Sequence, residues 1–306
     1  MITEKFTFSK INNLALAPHD FVADCTADYR RRVSEAAKII HGNSNKKIIM
    51  LAGPSSSGKT TTAGLLSREI ENLGAKAYTV SLDDFYFSRS TKKYPLDENG
   101  KPDYESVDAL DLELIHRCLG ELVEKGESRL PVFDFTVGER RENERKITLS
   151  ENDIIIVEGL HALNPAITDT LPDENLFRIY VSVSSRVYEN DGSVLLSKRD
   201  LRFIRRLVRD YRFRAMPPHR TFEIWGSVMR GEDKYLFPFE ERADIKLNSF
   251  HACEPCVLAG PATELLDKVS GEYSEKAELL KDKLNLFKTV DYAVLPQDCL
   301  LREFTG

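Results

Sequence analysis

The chain has 306 residues, 42% of them hydrophobic and 30% charged, with a net charge of −6. That length suffices for one large domain, or for a domain with an appendage, and the mild acidity gives no global reason to bind nucleic acid or an anionic membrane. No apolar run of about 18 residues is present to span a bilayer, the opening MITEKFTFSK lacks a secretory pattern, and five cysteines are an odd, sparse set suited to a reducing compartment, so a cytoplasmic protein is expected.

There is no internal repeat and no low-complexity tract. Asp24 to Ile40 reads as a helix with Val33, Ala36, Ala37 and Ile40 on one side, stopped by Gly42-Asn43-Ser44-Asn45. Residues 1–46 are thus expected to be a helical appendage without assigned chemistry. Ile48-Ile49-Met50-Leu51 is a continuous apolar run, the pattern of a parallel strand buried on both faces. Gly53-Pro54-Ser55-Ser56-Ser57-Gly58-Lys59-Thr60 follows at once, and a helix from Lys59 to Leu73 comes after it. This is G-x-x-x-x-G-K-[ST] in the context that confirms it, between a strand and a helix. The glycines let the backbone turn so that successive amides face phosphate oxygens, and the helix N-terminus adds its dipole. Lys59 reaches the terminal phosphates, and the Thr60 hydroxyl is a hard oxygen ligand for Mg²⁺. The stretch assigned to ATP comprises Gly53, Ser55, Ser56, Ser57, Gly58, Lys59, Thr60 and Thr61.

Ala77 to Leu82 is the next strand, and it runs into Asp83-Asp84-Phe85-Tyr86. Ligands in open parallel sheets sit beyond the carboxyl ends of strands, which sets Asp83 and Asp84 beside the phosphates, where transfer to an alcohol needs a carboxylate to orient the hydroxyl and take its proton. Asp111 to Lys125 is helical, with Leu112, Ile115, Leu119 and Leu122 on one stripe. The insertions 85–108 and 130–150 are read as a substrate-side cover, because long insertions in a compact domain are usually functional. Ile154 to Val157 is apolar and ends in Glu158-Gly159, the position of an acid that holds Mg²⁺. Phe177 to Val183 is a further strand.

Lys198 to Arg214 separates into two arcs at about 100° per residue. Arg199, Arg202, Arg205, Arg206, Arg209 and Arg212 share one arc, with Asp210 as the nearby acid, and Leu201, Phe203, Ile204, Leu207, Val208 and Tyr211 share the other. On an acidic chain such a face suits phosphate oxygens, and residues 198–218 are expected to close over ATP as a lid. Ala243 to Leu247 and Cys256 to Ala259 resemble late strands, and Glu272 to Phe287 a last amphipathic helix. Cys253 and Cys256, with His251 nearby, lack a second ligand pair and are read as ordinary thiols. The expected fold is α/β: a P-loop NTPase of three α/β/α layers on a mostly parallel five-stranded sheet, with a kinase domain over 47–260 and residues 261–306 packed on it.

GPSSSGKT, LDDFY, DYESVDALD, PVFDF, VEGLHAL and RRLVRD, in that order from about Lys47 to Asn248, resemble the uridine kinase and phosphoribulokinase group of P-loop kinases. The resemblance implies a catalytic aspartate at Asp83, an active-site tyrosine at Tyr86 and a magnesium-associated acid at Glu158. It implies lid arginines at Arg206 and Arg209, extended by Arg212 and Arg214, and a sugar-binding carboxylate at Asp108 or, in a rival register, Glu105. Two positions depart from it: Phe133 and Gly138 stand where uridine kinases carry a tyrosine and a base-reading histidine, which removes hydrogen bonds to the pyrimidine; His161 is a candidate to compensate. The reading is an ATP- and Mg²⁺-dependent kinase for a small hydroxyl-bearing molecule. A nucleoside leads, another sugar, a polyol or a pantothenate-like alcohol is the alternative, and a regulatory nucleotide-binding module without an acceptor is the reading of another class. A homo-oligomer is left open.

Overall fold

Short apolar runs separated by amphipathic helices alternate along this chain, and the fold that buries both is a parallel sheet between two helical layers. The computed structural model describes residues 5–43, 45–91, 94–98 and 100–306. Ser44, in the expected helix stop, and residues 92, 93 and 99, in the expected cover, lie outside the described residues. In chain order the main elements are α1 (Pro18–His41), β1 (Ile48–Ala52), α2 (Lys59–Asn72), β2 (Ala77–Ser81), α3 (Leu112–Lys125), β3 (Glu127–Asp134), β4 (Glu139–Thr148), β5 (Ile154–Glu158), β6 (Leu176–Ser182), α4 (Lys198–Arg214), α5 (Pro218–Tyr235), β7 (Ile245–Asn248), α6 (Glu254–Leu266) and α7 (Ser274–Leu284).

Five of these strands form one sheet in the order β7-β6-β1-β5-β2, and every pairing in it is parallel. Alternation along β1 divides the core. Ile49 and Leu51 join α1, α2, α4, α6 and α7 on one face, whereas Ile48, Met50 and Ala52 join α3 on the other. The N-terminal helix belongs to the first of these layers: Val33, Ala36, Ala37 and Ile40 are buried there, and the Tyr29 hydroxyl meets Thr62 Oγ1 at 2.5 Å. No helix among the described residues is long and apolar enough to cross a membrane.

The insertion expected over 85–108 carries short helical turns at Arg89–Thr91 and Val107–Ala109 among its described residues, and the one expected over 130–150 lies largely in an antiparallel hairpin, β3 with β4, whose register shifts between Leu130 and Val132. Pro131 occupies that shift, where its missing N–H costs no ladder bond.

Three expectations are corrected. The helix expected from Asp24 starts at Pro18, after a shorter helix over Phe8–Leu14, because proline is preorganised for a first helical position. Cys256–Ala259 is not a strand; it lies within α6, which has Pro255 in its first turn and carries Pro261 inside. A four-residue apolar run cannot by itself tell a buried strand from a buried helix, and here nearly every side of the helix is covered. The domain boundary expected at residue 260 therefore falls inside a helix.

Candidate active site

The carboxyl ends of β1, β2 and β5 meet in register: Leu51 and Ser81 both lie beside Glu158. The loop after β1 runs from Gly53 to Gly58 in a tight path. A Cβ at Gly53 would stand 2.1 Å from the Val181 carbonyl oxygen, and Gly58 has φ +88° at the start of α2. Only glycine fits both demands.

The underside of this loop is held from below. Arg202 Nε donates to the Ser55 carbonyl at 2.9 Å and Arg205 Nη1 to that of Ser56 at 3.3 Å. Each guanidinium is paired in turn with a wholly buried carboxylate, Arg202 with Glu232 and Arg205 with Glu254, and Glu232 also accepts from the Ser55 amide at 2.8 Å. Buried pairs of this kind are costly to break once formed, about 3–5 kcal/mol when one partner is removed, so they fix the loop's shape. The hydroxyls of Ser56 and Ser57 are buried with no hydrogen-bond partner among the described residues. Such orphaned donors, with the glycine-lined turn, fit a phosphate cradle.

Above the loop lies a cavity of about 700 Å³. Lys59, Thr60, Asp83 and Glu158 line it. Lys59 Nζ rests on the Pro54 carbonyl at 3.2 Å. Asp83 sits in the turn just past β2. Its carboxyl opens to the cavity but is enclosed by protein, and that enclosure raises its pKa against the pull of Lys59, Arg214 and Arg209. Glu158 accepts from Ser81 Oγ at 2.8 Å; burial first, and the nearby Asp83 second, push it up to about 7. Thr60 and Glu158 are the oxygen donors suited to a hard cation such as Mg²⁺.

Arg206, Arg209 and Arg214 line the cavity from α4. One buried acid arranges all three: Asp210 takes Arg206 Nε at 3.1 Å, Arg209 Nη2 at 2.7 Å and Arg214 Nε at 3.6 Å. Arg206 Nη1 also donates to Ser55 Oγ at 2.6 Å. Two sequence assignments are corrected here. Arg205 faces the underside of the loop and is spent on Glu254. Arg212 lies over the Tyr292 ring and donates to the Thr305 carbonyl at 2.5 Å. A helical wheel sorts residues by direction but does not say what each direction packs against; both arcs of α4 are largely covered.

Part of the cavity wall is aromatic. Phe133 meets Tyr86 edge-on at 5.8 Å and Phe135 at 4.9 Å, and the Tyr86 hydroxyl donates to the Tyr104 carbonyl at 2.9 Å. Glu105 also lines the cavity, and enclosure pushes it up to about 7 against the pull of Arg206. Its rival Asp108 is exposed and does not line the cavity. Asp84 does not line it either: it accepts from the Phe133 amide at 3.2 Å and so latches the hairpin to the strand end. His161 is buried against the edge of Tyr235, ring centres 6.0 Å apart, outside the cavity lining, and burial lowers it to about 4, so the ring is neutral. At Gly138 a Cβ would stand 2.4 Å from Arg89 Cδ. Arg89, which lines the cavity, thus occupies the space a side chain at 138 would need. Nothing in the spacing of the polar insertion singles out Arg89; Glu232 and Glu254 were equally invisible because their partners lie 30 and 49 residues away.

Glu158 supplies a pH test. A carboxyl whose folded pKa lies above its unfolded value favours the native state fully below the ordinary 4.5 and loses that contribution as the pH rises through about 7. Without added Mg²⁺ or nucleotide, Glu158→Gln is expected to melt above the parent at pH 8, by roughly 3 °C, and level with it near pH 4.5. Thermal shift at the two pH values checks this; a variant that melts lower at pH 8 contradicts it.

A family model described as phosphoribulokinase / uridine kinase family matches residues 48–253. The uridine kinase of Lactobacillus helveticus is 31% identical over 199 residues, covering 65% of this chain and 84% of that protein. The uridine kinase of Macrococcus caseolyticus is 28% identical over 204 residues, covering 66% of this chain and 87% of that protein. Among solved structures, YFH7 from Saccharomyces cerevisiae, a candidate P-loop containing kinase with a circular permutation, superposes with a TM-score of 0.51 at 13% identity, over 71% of this chain and 98% of that one. That last likeness is one of fold.

Proposed function

The chain belongs to the phosphoribulokinase and uridine kinase family and is an ATP-dependent kinase acting on a hydroxyl group; we propose that its acceptor is nucleoside-like, a flat ring held by the aromatic wall of the cavity and a hydroxyl presented to Asp83. The observation that carries the reading is one cavity lined both by Lys59 and Asp83 and by the aromatic rings of Tyr86, Phe133 and Phe135. Aromatic faces take rings by stacking, and Glu105 and Arg89 are the polar groups placed to orient one.

In this reading the loop amides and Lys59 hold the phosphates of ATP. Thr60 and Glu158 would hold Mg²⁺, which would supply charge neutralisation to the phosphates. Asp83 orients the acceptor hydroxyl and takes its proton as the oxygen attacks the γ-phosphorus and the bond to ADP breaks. Arg206, Arg209 and Arg214, spread by Asp210, face the charge on the transferred group. The family leaves no place for the alternative of a nucleotide-binding module without an acceptor.

A screen of nucleosides, sugars and polyols, scored by ADP release over background, tests the acceptor. A nucleoside is expected to give the highest turnover. Because Phe133 and Gly138 lack the donors that read uracil, uridine is expected to show at most about a tenfold preference over other nucleosides. Turnover confined to polyols or pantothenate-like alcohols would overturn the nucleoside assignment.

A further inference from the structure

One wall of the cavity comes from beyond the family match. Leu300, Leu301 and Phe304 are fully buried and fix the end of the chain against the start of α2. Leu300 closes on Gly58, where a Cβ would stand 2.6 Å from its Cδ1. Arg302 knits the turn together by donating to the carbonyls of Leu295, Pro296 and Gly306. This packing leaves Glu303 facing Thr61. Glu303 Oε2 accepts from Thr61 Oγ1 at 2.6 Å and from the Thr61 amide at 3.4 Å, and Glu303 lines the cavity.

Thr61 is the third residue of α2. Its amide is one of the first-turn donors that a helix leaves without an internal partner, the kind of donor that binds phosphate. The buried, unpartnered hydroxyls of Ser56 and Ser57 belong to the same cradle. A carboxylate and a phosphate oxygen compete for the one hydroxyl proton and the one amide of Thr61, and two anions so placed repel.

We propose that Glu303 is an intramolecular competitor for the nucleotide: its carboxylate holds the Thr61 donors and must leave them before a phosphate of ATP can take its place. The C-terminal turn thereby sets nucleotide affinity. Leu301 and Phe304 anchor the backbone on either side, so the movement is a rotation of the Glu303 side chain and not a release of the tail. This inference rests on the phosphate reading of residues 53–61.

The test is equilibrium binding of ATP with Mg²⁺ to the full chain, measured by calorimetry for the parent, Glu303→Gln, Glu303→Ala and, as a control, Lys59→Ala. Both Glu303 variants are expected to bind ATP about 5- to 10-fold more tightly than the parent, because a competent state masked most of the time weakens apparent affinity by the fraction masked. Melting curves identify any variant that does not fold, and the other then carries the test. Unchanged affinity in the folded variants overturns the proposal, and weaker affinity would make Glu303 a productive contact instead. If the parent and both Glu303 variants bind no ATP, or Lys59→Ala binds as tightly as the parent, the phosphate reading fails and the competitor role with it.

Discussion

Lys59→Ala is expected to reduce phosphoryl transfer by about 10³-fold or more while leaving the fold intact. Lys59 is the cation of the loop: it lines the cavity with Asp83 and Glu158 and, among the described residues, donates one hydrogen bond, to the Pro54 carbonyl of its own loop. Losing that contact exposes little and unpairs no buried charge. Chemically the loss is large. Charge on the transferring phosphoryl group is stabilised by groups fixed in advance, and removing one such donor commonly costs about 10²–10³ in turnover, more where the donor is a full cation. ADP release at saturating acceptor measures it, with a melting curve to show that the variant folds. Activity within tenfold of the parent would place the phosphates somewhere other than residues 53–61.

Asp83→Asn is expected to lower kcat by about 10²- to 10⁴-fold, the usual worth of a positioned base, with ATP affinity unchanged or slightly improved. The two effects separate because of where Asp83 stands. Its carboxyl makes no hydrogen bond to another described residue, while Lys59, Arg214 and Arg209 face it from the phosphate side. Replacing it with the amide therefore keeps shape and removes one negative charge near an anionic substrate. Steady-state kinetics and a direct ATP-binding measurement on the same preparation give both numbers. Full activity in Asp83→Asn would move the base elsewhere, and Glu105 would be the next candidate, since it is an enclosed carboxyl that also lines the cavity.

Much of this site was legible in the chain because it is built from local rules. Ile48–Leu51 and Ile154–Val157 are continuous apolar runs next to glycine-bounded turns, the pattern of a parallel strand buried on both faces, and Phe177–Val183 is apolar apart from Arg178 and Ser182. Gly53 to Thr60 sits between a strand and a helix, Asp83 follows one strand and Glu158 ends another, so position along the chain placed both acids at the carboxyl end of the sheet with that loop. What failed were assignments that depend on what lies opposite. Six arginines of α4 share an arc in projection, but Arg205 is paired under the loop with Glu254 and Arg212 with the Thr305 carbonyl; of the six, Arg206 and Arg209 line the cavity, joined by Arg214 from off the arc. Asp108 and Glu105 were rivals in sequence because they are three residues apart; the turn at 107–109 turns Asp108 outward and leaves Glu105 at the cavity.

By itself, then, the sequence determined the parallel sheet, the phosphate loop and the acids that face it, since each follows from backbone geometry within a strand, a turn and the first turn of a helix. Only the tertiary structure decided which charges are free for chemistry and which are consumed in holding the loop, that Arg89 fills the space over Gly138, and that Glu303 reaches Thr61 across 242 residues of chain. The physical reason is that burial and pairing depend on which surfaces meet, and contacts between segments so far apart leave no periodicity or spacing to read.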